Sequence, residues 1–495
     1  MCRRQKTLDN YGLKDRAEPE EEATVALNAS ITESDVREAY HNLMPFVIAD
    51  ENIDRAMEQV VGNRGAPGVD GMTVDELEPW LKTNREELKD QLMSGCYVPI
   101  PVRRKEIPKD NGGVRKLGIP SVVDRLVQQM IAQVLVPIYD PTFSDSSYGF
   151  RPGRSAVDAV MKVRDYYDQG YVMAVGIDLE RFFDTLGHDF LMNILRERIK
   201  DKVLILTIKR FLRSGVAMPD GLVHPTPEGA PQGGPLSPLL SNIYLDRLDR
   251  ELESRGLPFV RFADDSLIMV RSPRAAERVC ESVTRFIEGE LKLKVNREKT
   301  EIGSPRTLKF LGFKLARTKK GTGLTPHPKS IKRFKKRVRA LTKRNRGVSV
   351  ERMLGELASY MRGWIGYFGA TTSDNVIKVL DEWVRRRVRQ YILKSWKKRY
   401  NKFRRLRSLC PEYFRMPDGS VAMEWVHSCW ACAMDGSPWH ASSRKASQAG
   451  LTKRKLADMG MYYMMDDWKA VEERWTNRRL PSRGTTGGVR GQPMG

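Results

Sequence analysis

The sequence predicts an α+β protein, in which a body of mixed strands and helices is followed by a long, basic, wholly helical segment. Three observations carry this. Between Tyr97 and about Phe313, short apolar runs bounded by turn residues alternate with helical patterns. From Pro328 to about Arg405, apolar residues recur at helical spacing only. Charge is also partitioned: Arg306 to Arg407 holds 31 Lys and Arg against 5 Asp and Glu, a net of +26, while the rest of the chain nets −3. One segment therefore carries the whole excess of a +23 chain, which argues for a polyanionic partner.

Composition bounds the rest. A chain of 495 residues has room for about three domains. With 40% hydrophobic and 30% charged residues it can bury a large core and is not disordered throughout. No run of 18 apolar residues exists, so no membrane-spanning segment is expected. Met1-Cys2-Arg3-Arg4 leads into polar sequence rather than a signal segment. Six scattered cysteines do not make a disulfide scaffold, so the expected setting is a reducing cytoplasm.

The elements follow in order. Residues 1–35 are polar, with an acidic cluster from Glu18 to Glu22, and are expected to be flexible. Val36, Tyr40, Leu43, Met44, Ile53, Met57 and Val60 give a helical pattern over 35–60, and 75–95 gives another, separated by a Gly- and Pro-rich turn region. Val172 to Ile177 is a buried-strand candidate, with a helical run from His188 to Leu212 after it. Phe259-Val260-Arg261 and Leu267 to Val270 flank Ala263-Asp264-Asp265-Ser266 as a hairpin, and 274–290 is an amphipathic helix. Residues 328–345, 349–368 and 374–405 form three basic helices. Beyond Ser408 the pattern weakens, and the Gly-, Arg- and Thr-rich tail from 481 is expected to be flexible.

Asp178 ends the apolar strand, and Asp264-Asp265 sits at a tight turn with apolar residues on both sides. If these strands are neighbours, three carboxylates converge at one edge. Such a set is stable only with neutralising cations, and oxygen ligands with room for phosphates favour Mg²⁺. Two such ions stabilise the attacking and leaving oxygens of nucleotidyl transfer. The plain alternative is a solvated acidic turn.

The surrounding motifs are more specific. They are Gly176-Ile177-Asp178-Leu179-Glu180-Arg181-Phe182-Phe183-Asp184, Pro231-Gln232-Gly233-Gly234-Pro235-Leu236-Ser237-Pro238, Arg261-Phe262-Ala263-Asp264-Asp265, Leu291 to Thr300, and Phe310-Leu311-Gly312-Phe313. Upstream lie Ile107-Pro108-Lys109 to Arg115 and on to Pro120, and Ser147 to Gly153; downstream lies Tyr360 to Phe368. In this order the set resembles the reverse transcriptases encoded by bacterial group II introns, over roughly residues 35–400. Gly68-Val69-Asp70-Gly71-Met72 is similar to that family's N-terminal extension, and Tyr360 to Phe368 to its thumb segment, maturase domain X.

The resemblance implies a right-hand polymerase: fingers and palm around an antiparallel sheet, then an α-helical thumb. It implies a division into an N-terminal extension at 36–95, fingers and palm at 96–320, thumb at 321–408 and a DNA-binding region at 409–480. Asp178, Asp264 and Asp265 become the catalytic, metal-binding acids, with the Leu179 carbonyl as a further oxygen. The cofactor is two Mg²⁺, with Mn²⁺ as substitute, and the substrates are deoxynucleoside triphosphates. Lys109 and Arg115 suit the triphosphate, though loop charges are often merely solvated. Phe183 becomes the gate against a 2′-hydroxyl, with a core aromatic as the alternative. Gln232, with Gly233 and Gly234, lets the backbone approach nucleotide and template closely, or the Gly-Gly pair is simply a turn. Lys299 serves as proton donor to pyrophosphate, or is an ordinary surface lysine. Phe310, Leu311 and Gly312 form the primer grip, or a plain buried strand. Phe262 stands where the family usually has Tyr, which removes a hydroxyl and keeps the apolar wall.

The basic segment suits a duplex or structured RNA. Arg385, Arg386, Arg387, Lys397, Lys398 and Arg399 are the RNA-contact candidates, whereas the interleaved aromatics Trp364, Tyr367, Phe368, Trp383 and Trp396 fit helix packing. His427, Cys429, Cys432 and His440 have zinc-like spacing, but the family's endonuclease module carries two cysteine pairs and this chain has one, so zinc is not expected. The absence of that module implies priming from a replication-fork 3′ end or from another primer.

The function implied is that of an intron-encoded, RNA-directed DNA polymerase. It would copy intron RNA during retrohoming of the mobile element and, as a maturase, bind that RNA and promote splicing. Its partners would be the intron RNA, target DNA and the primer–template duplex, with no membrane. The setting is a bacterial cytoplasm, close to the nucleoid, and the oligomeric state is left open between monomer and homodimer. The alternative is a domesticated relative serving DNA repair or phage defence.

Overall fold

The computed structural model describes residues 40–108, 114–218, 222–231, 233–319 and 321–477, so the expected flexible ends at 1–35 and 481–495 lie outside the described residues. In chain order the strands are β1 (Val102–Pro108), β2 (Val114–Ile119), β3 (Met173–Ile177), β4 (Val216–Ala217), β5 (Val223–His224), β6 (Phe259–Phe262), β7 (Asp265–Val270), β8 (Glu301–Gly303), β9 (Phe313–Thr318) and β10 (Gly321–Pro326). The longer helices are α1 (Asp50–Gly62), α2 (Leu77–Met93), α3 (Val122–Tyr139), α4 (Ala156–Asp168), α5 (His188–Arg198), α6 (Lys202–Leu212), α7 (Ser237–Ser254), α8 (Pro273–Gly289), α9 (Pro328–Leu341), α10 (Val350–Phe368), α11 (Asp374–Ser395), α12 (Arg399–Ser408), α13 (Met423–Met434) and α14 (Met464–Asn477). No helix among the described residues is long and apolar enough to cross a membrane.

The chain divides into two compact units. The first comprises residues up to Pro137 together with Leu186–Ser237. Its sheet has the order β2-β1-β4-β5, with β1 antiparallel to β2 and parallel to β4. Two expected helices are each broken here. The 35–60 run splits into a short turn at Met44–Val47 and α1, because Ala49 takes an extended conformation between them. The 188–212 run splits into α5 and α6 at Asp201. One carboxylate accounts for the second break: Asp201 Oδ1 accepts the Val203 and Leu204 amides at 2.9 and 3.0 Å, capping α6. Its Oδ2 accepts the Leu43 and Met44 amides, both at 2.8 Å.

The second unit comprises Ile138–Thr185 and the chain from Pro238 onward. Its central sheet, order β6-β7-β3-β8, is antiparallel throughout. Apolar alternation sets one face. Ala174, Val260, Leu267 and Met269 pack against Val157, Val160 and Val163 of α4 and against Phe310, Phe313 and Leu315. The predicted hairpin forms as β6 and β7, and the predicted strand as β3.

The three basic helices form as α9, α10 and α11, the last one stopping early. Trp396 closes α11 and Lys397 turns left-handed (φ +46°), so 399–408 restarts as α12. Ile331, Phe334, Val338 and Leu341 supply the inward stripe of α9, leaving its Lys and Arg residues on the other faces. Phe334 and Trp364 pack with ring centroids 4.8 Å apart, and Trp364 and Phe368 likewise at 4.8 Å, which makes these aromatics packing residues. Trp383 lies under the cations of Lys335 and Arg339.

Beyond Ser408 the weak pattern hides a set of helices. They share the core of α9–α11: Trp425, Cys429 and Cys432 of α13 and Met464 and Trp468 of α14 join the same buried cluster as Val338, Leu357 and Val384. Residues 409–477 are thus continuous with the helical segment before them. The last helix is tied down by buried Asp381 of α11, which accepts the Met464 and Met465 amides at 3.2 and 3.0 Å.

Burial pushes the Asp381 carboxyl up to about 6, against the pull of those two amides. The unfolded chain releases that proton near pH 4, so between about pH 4 and 6 the fold binds a proton that the unfolded chain has lost. This group's contribution to stability therefore falls as pH rises through the window and is level above it. Asp381→Asn should gain stability relative to the parent protein as pH rises from 4 to 6.5. Thermal unfolding of both proteins across that range checks this; parallel curves would refute it.

Candidate functional site

Sheet register alone places two of the three predicted acids. On β7, β3 pairs from Met173↔Val270 to Ile177↔Ser266, so the next step sets Asp178 opposite Asp265. Phe262 is also the partner of Asp265, across β6 and β7. Cross-strand partners point to the same face, so Phe262, Asp265 and Asp178 share one face at one end of the sheet. Asp264 lies in the turn between the strands, after Ala263, whose φ is +57°. An alanine in that region costs roughly 1–2 kcal/mol, and something must hold it there.

The hold is a buried ion pair. Arg261, 1% exposed, meets Asp249 of α7, 0% exposed. Nε reaches Oδ1 at 2.7 Å and Nη2 reaches Oδ2 at 2.6 Å. Arg261 Nη1 donates to the Ala263 carbonyl and to Asn242 Oδ1, both at 3.0 Å. The Asn242 amide donates in turn to the Gly149 carbonyl at 2.8 Å. Gly149 presses directly on the turn, and a Cβ there would lie 2.2 Å from the Ala263 nitrogen. The backbone of Arg261 is paired as well, to Ser146 and Tyr148, both at 2.8 Å. The turn is thus clamped by α7, by the 144–151 loop and by its own strand.

The electrostatics are those of crowded acids. The surrounding protein pushes the Asp265 carboxyl up to about 6, and the Asp264 and Asp178 charges add to this, opposed by Lys309 and Lys299. Its surface nevertheless stays open to solvent. Lys299 places its ammonium 3.4 Å from Asp178 Oδ2. The Asn296 amide donates to the Asp178 carbonyl and the Glu180 amide to the Lys294 carbonyl, both at 2.8 Å. Leu179 therefore sits in the non-hydrogen-bonded position opposite Val295, with its own carbonyl turned toward the β7 side. Among the described residues, no three His, Cys, Asp or Glu side chains are gathered on one point to hold a metal ion as they stand. The donor set still suits a hard divalent cation: carboxylate oxygens on one face, a nearby carbonyl, and a lysine already drawn to the negative charge.

The remaining candidates divide. Phe183, half-buried, meets Phe182 edge-on at 5.3 Å, and it is Phe182 that fills the core against Tyr244. Leu311 (φ +47°) and Gly312 (φ +85°) form a tight turn closed by mutual Phe310–Phe313 backbone bonds of 3.1 and 2.9 Å. Tyr367 of α10 donates to the Leu311 carbonyl at 2.8 Å, and Ser330 to the Gly312 carbonyl at 2.8 Å. Tyr367 also feels the charge of Asp265, so this turn belongs to the neighbourhood of the acids. Lys109, Gln232 and the Arg115 side chain lie outside the described residues; Arg115 itself pairs with Ile107 in the β1–β2 ladder.

The basic candidates separate by what they touch. Arg387 is engaged within the fold, bonding Thr342 Oγ1 (3.1 Å), the Thr342 carbonyl (3.3 Å) and Gln390 (3.0 Å). Arg386 lies flat on Trp439, 3.4 Å from the ring centroid. Arg385 has a loose contact of 4.0 Å with Glu382. Lys397, Lys398 and Arg399 are exposed. The zinc-like spacing does not build a site: Cys429 and Cys432 are buried with their thiols pushed up by that burial, to about 12 and about 11, whereas His427 and His440 face solvent. Sequence reading missed Asp249 and Asn242, and assigned Tyr367 to helix packing alone. A polar residue on an otherwise apolar helix face was the available signal for the first two.

The profile of the reverse transcriptase (RNA-dependent DNA polymerase) family matches residues 107–315, and that of the group II intron maturase-specific domain matches residues 331–409. The chain is 33% identical to protein YkfC of Escherichia coli K12 over 322 residues, 57% of this chain and 84% of that one. It is 28% identical to the group II intron-encoded protein LtrA of Lactococcus lactis over 357 residues, 59% of each chain. Among solved structures, a partial Cas6-RT-Cas1--Cas2 complex is similar at 26% identity and a TM-score of 0.32, covering 50% of this chain and 43% of that one.

The clamp makes a prediction. Asp249→Ala strands the Arg261 guanidinium in the core and should cost about 3–5 kcal/mol in urea denaturation. The double variant Arg261→Met/Asp249→Leu, which removes both charges, should recover most of that loss. Equal destabilisation of the single and double variants would show that the ion pair is not the holding interaction.

Proposed function

The chain belongs to the family of group II intron-encoded reverse transcriptases and maturases, and on that premise we propose that it copies its intron RNA into DNA during retrohoming and promotes splicing of the same RNA. What supports the polymerase half is the register that sets Asp178 opposite Asp265 beside the turn acid Asp264. What supports the RNA half is the basic segment Arg306–Arg407, net +26 and mostly helical. The partners are the intron RNA, the primer–template duplex and target DNA. The setting is a bacterial cytoplasm, at the nucleoid.

The residues have distinct tasks in this reading. Asp178, Asp264, Asp265 and the Leu179 carbonyl would hold two Mg²⁺, for which Mn²⁺ could substitute. When bound, the ions supply Lewis-acid stabilisation of the attacking and leaving oxygens. The chain's own groups do the rest. Lys299, drawn to the acids, can deliver a proton to the departing pyrophosphate. Phe183 stands half-open beside Asp184 and selects deoxynucleotides by steric conflict with a 2′-hydroxyl. Lys109, Arg115 and Gln232 hold the triphosphate and the templating pair. The turn Phe310-Leu311-Gly312, fixed by Tyr367, steadies the primer strand. Lys397, Lys398 and Arg399 contact RNA, with Arg385 and Arg386 at the margin and Arg387 supporting them from within.

Asp264→Asn and Asp178→Ala should abolish RNA-templated primer extension while leaving intron RNA binding within about twofold. Retained extension by either variant would refute the assignment. Replacing Lys397, Lys398 and Arg399 together by Gln should weaken RNA binding and flatten its dependence on salt by up to about one log–log unit per residue. An unchanged slope would place the RNA elsewhere.

A further inference from the structure

We propose that the ring of Phe150 is a stacking surface for one nucleotide of the bound primer–template, with Phe262 as its inner wall. The inference rests on the polymerase reading above and assigns a residue that reading leaves without a task.

Phe150 is 48% exposed, yet it is not on a loose loop. Its backbone is left-handed, at φ +58°, a conformation rare and costly for a residue with a bulky side chain. Such strain persists only where surrounding contacts over-determine it, and here they do. Arg151, 8% exposed, donates from Nε to Asp140 Oδ1 at 2.7 Å and from Nη1 to the Ser144 and Ser147 carbonyls at 2.6 and 3.0 Å. On the other side, Gly149 is bonded by Asn242 and lies against the acidic turn. A buried guanidinium and a buried amide therefore hold in place a residue whose ring faces water. A glycine would meet the backbone requirement without strain, so the ring itself needs a reason.

Its position gives one. The Phe150 ring centroid is 6.5 Å from that of Phe262, at a 40° tilt. Phe262 shares its face of the sheet with Asp265 and Asp178. The two phenyl rings carry no hydrogen-bonding group, so they cannot read a sequence. They can meet the flat face of any base, which suits a polymerase that must accept every nucleotide.

The test uses the full-length protein bound to an RNA template with a DNA primer, 2-aminopurine being placed at the primer terminus or at the templating position. Phe150→Gly removes the ring and relieves the backbone, so it should fold. It should weaken primer–template binding by roughly 5- to 150-fold and change 2-aminopurine fluorescence at one of the two positions, which identifies the strand that stacks. Phe150→Tyr should restore both signals. If Phe150→Gly binds normally and alters fluorescence at neither position, the proposal is wrong. It is equally wrong if Phe150→Tyr fails as badly as Gly. Failure of the parent protein to extend a primer would refute the polymerase reading instead, and so is told apart from failure of the stacking.

Discussion

The active geometry depends on one interaction, the contact between Arg261 and Asp249. Neither side chain touches water, so each exists as an ion only because the other does. A pair of that kind adds little net stability compared with apolar residues of similar shape. Its value lies in direction. The guanidinium has five donors in a rigid plane, and here they reach a carboxylate on α7, an amide on the same helix and the carbonyl of Ala263. The plane fixes helix, strand and turn in one arrangement. A hydrophobic substitute would fill the volume but would not specify the orientation of a left-handed alanine beside two acids.

The same economy runs through the helical segment. Its excess of positive charge reads as uniform in the sequence, but the structure divides it by task. Arg387 closes the end of α9 through Thr342, Arg386 covers a tryptophan, and half-buried Arg389 donates to the Leu451 carbonyl at 3.0 Å. Lys397, Lys398 and Arg399 stand exposed at a break between helices, where Lys397 is left-handed. Guanidinium groups have been drawn inward to meet a carbonyl, a hydroxyl, a side-chain amide or an aromatic face, which their planar fork serves better than a lysine ammonium.

What was legible in the sequence had local causes. The strand before Asp178, the Phe259–Val270 hairpin and the three basic helices all declare themselves through periodicity within a few residues. Asp201 broke an apparently continuous helix because its cap is one acid hidden in a charged stretch, Arg196 to Lys202, that a solvated helix face would also show. Several of the 409–477 helices span only four to six residues, and the apolar residues of this region serve a core completed by chain far upstream, so its own sequence declares it weakly. The three candidate acids could be named but their support could not: Asn242 meets Gly149 across 93 residues and Tyr367 meets Leu311 across 56. Contacts at such separations leave no periodic trace. Phe150 shows a different limit, because a backbone angle carries no sequence signal except where glycine occupies it.

The docking of α14 also bears on the order in which the chain can fold as it is made. Met464 and Trp468 belong to the same buried cluster as Phe334 and Met353. More than a hundred residues of synthesis therefore separate the first wall of that core from the last. The sheet of the palm can pair as soon as β8 has emerged, because every strand it needs lies earlier in the chain. The helical core cannot close until α14 is free of the ribosome. Between those two moments a strongly basic, half-open apolar surface stands exposed on the nascent chain. That interval, rather than the pairing of the palm sheet, is when the nascent chain is most open to aggregation or to capture by a polyanion.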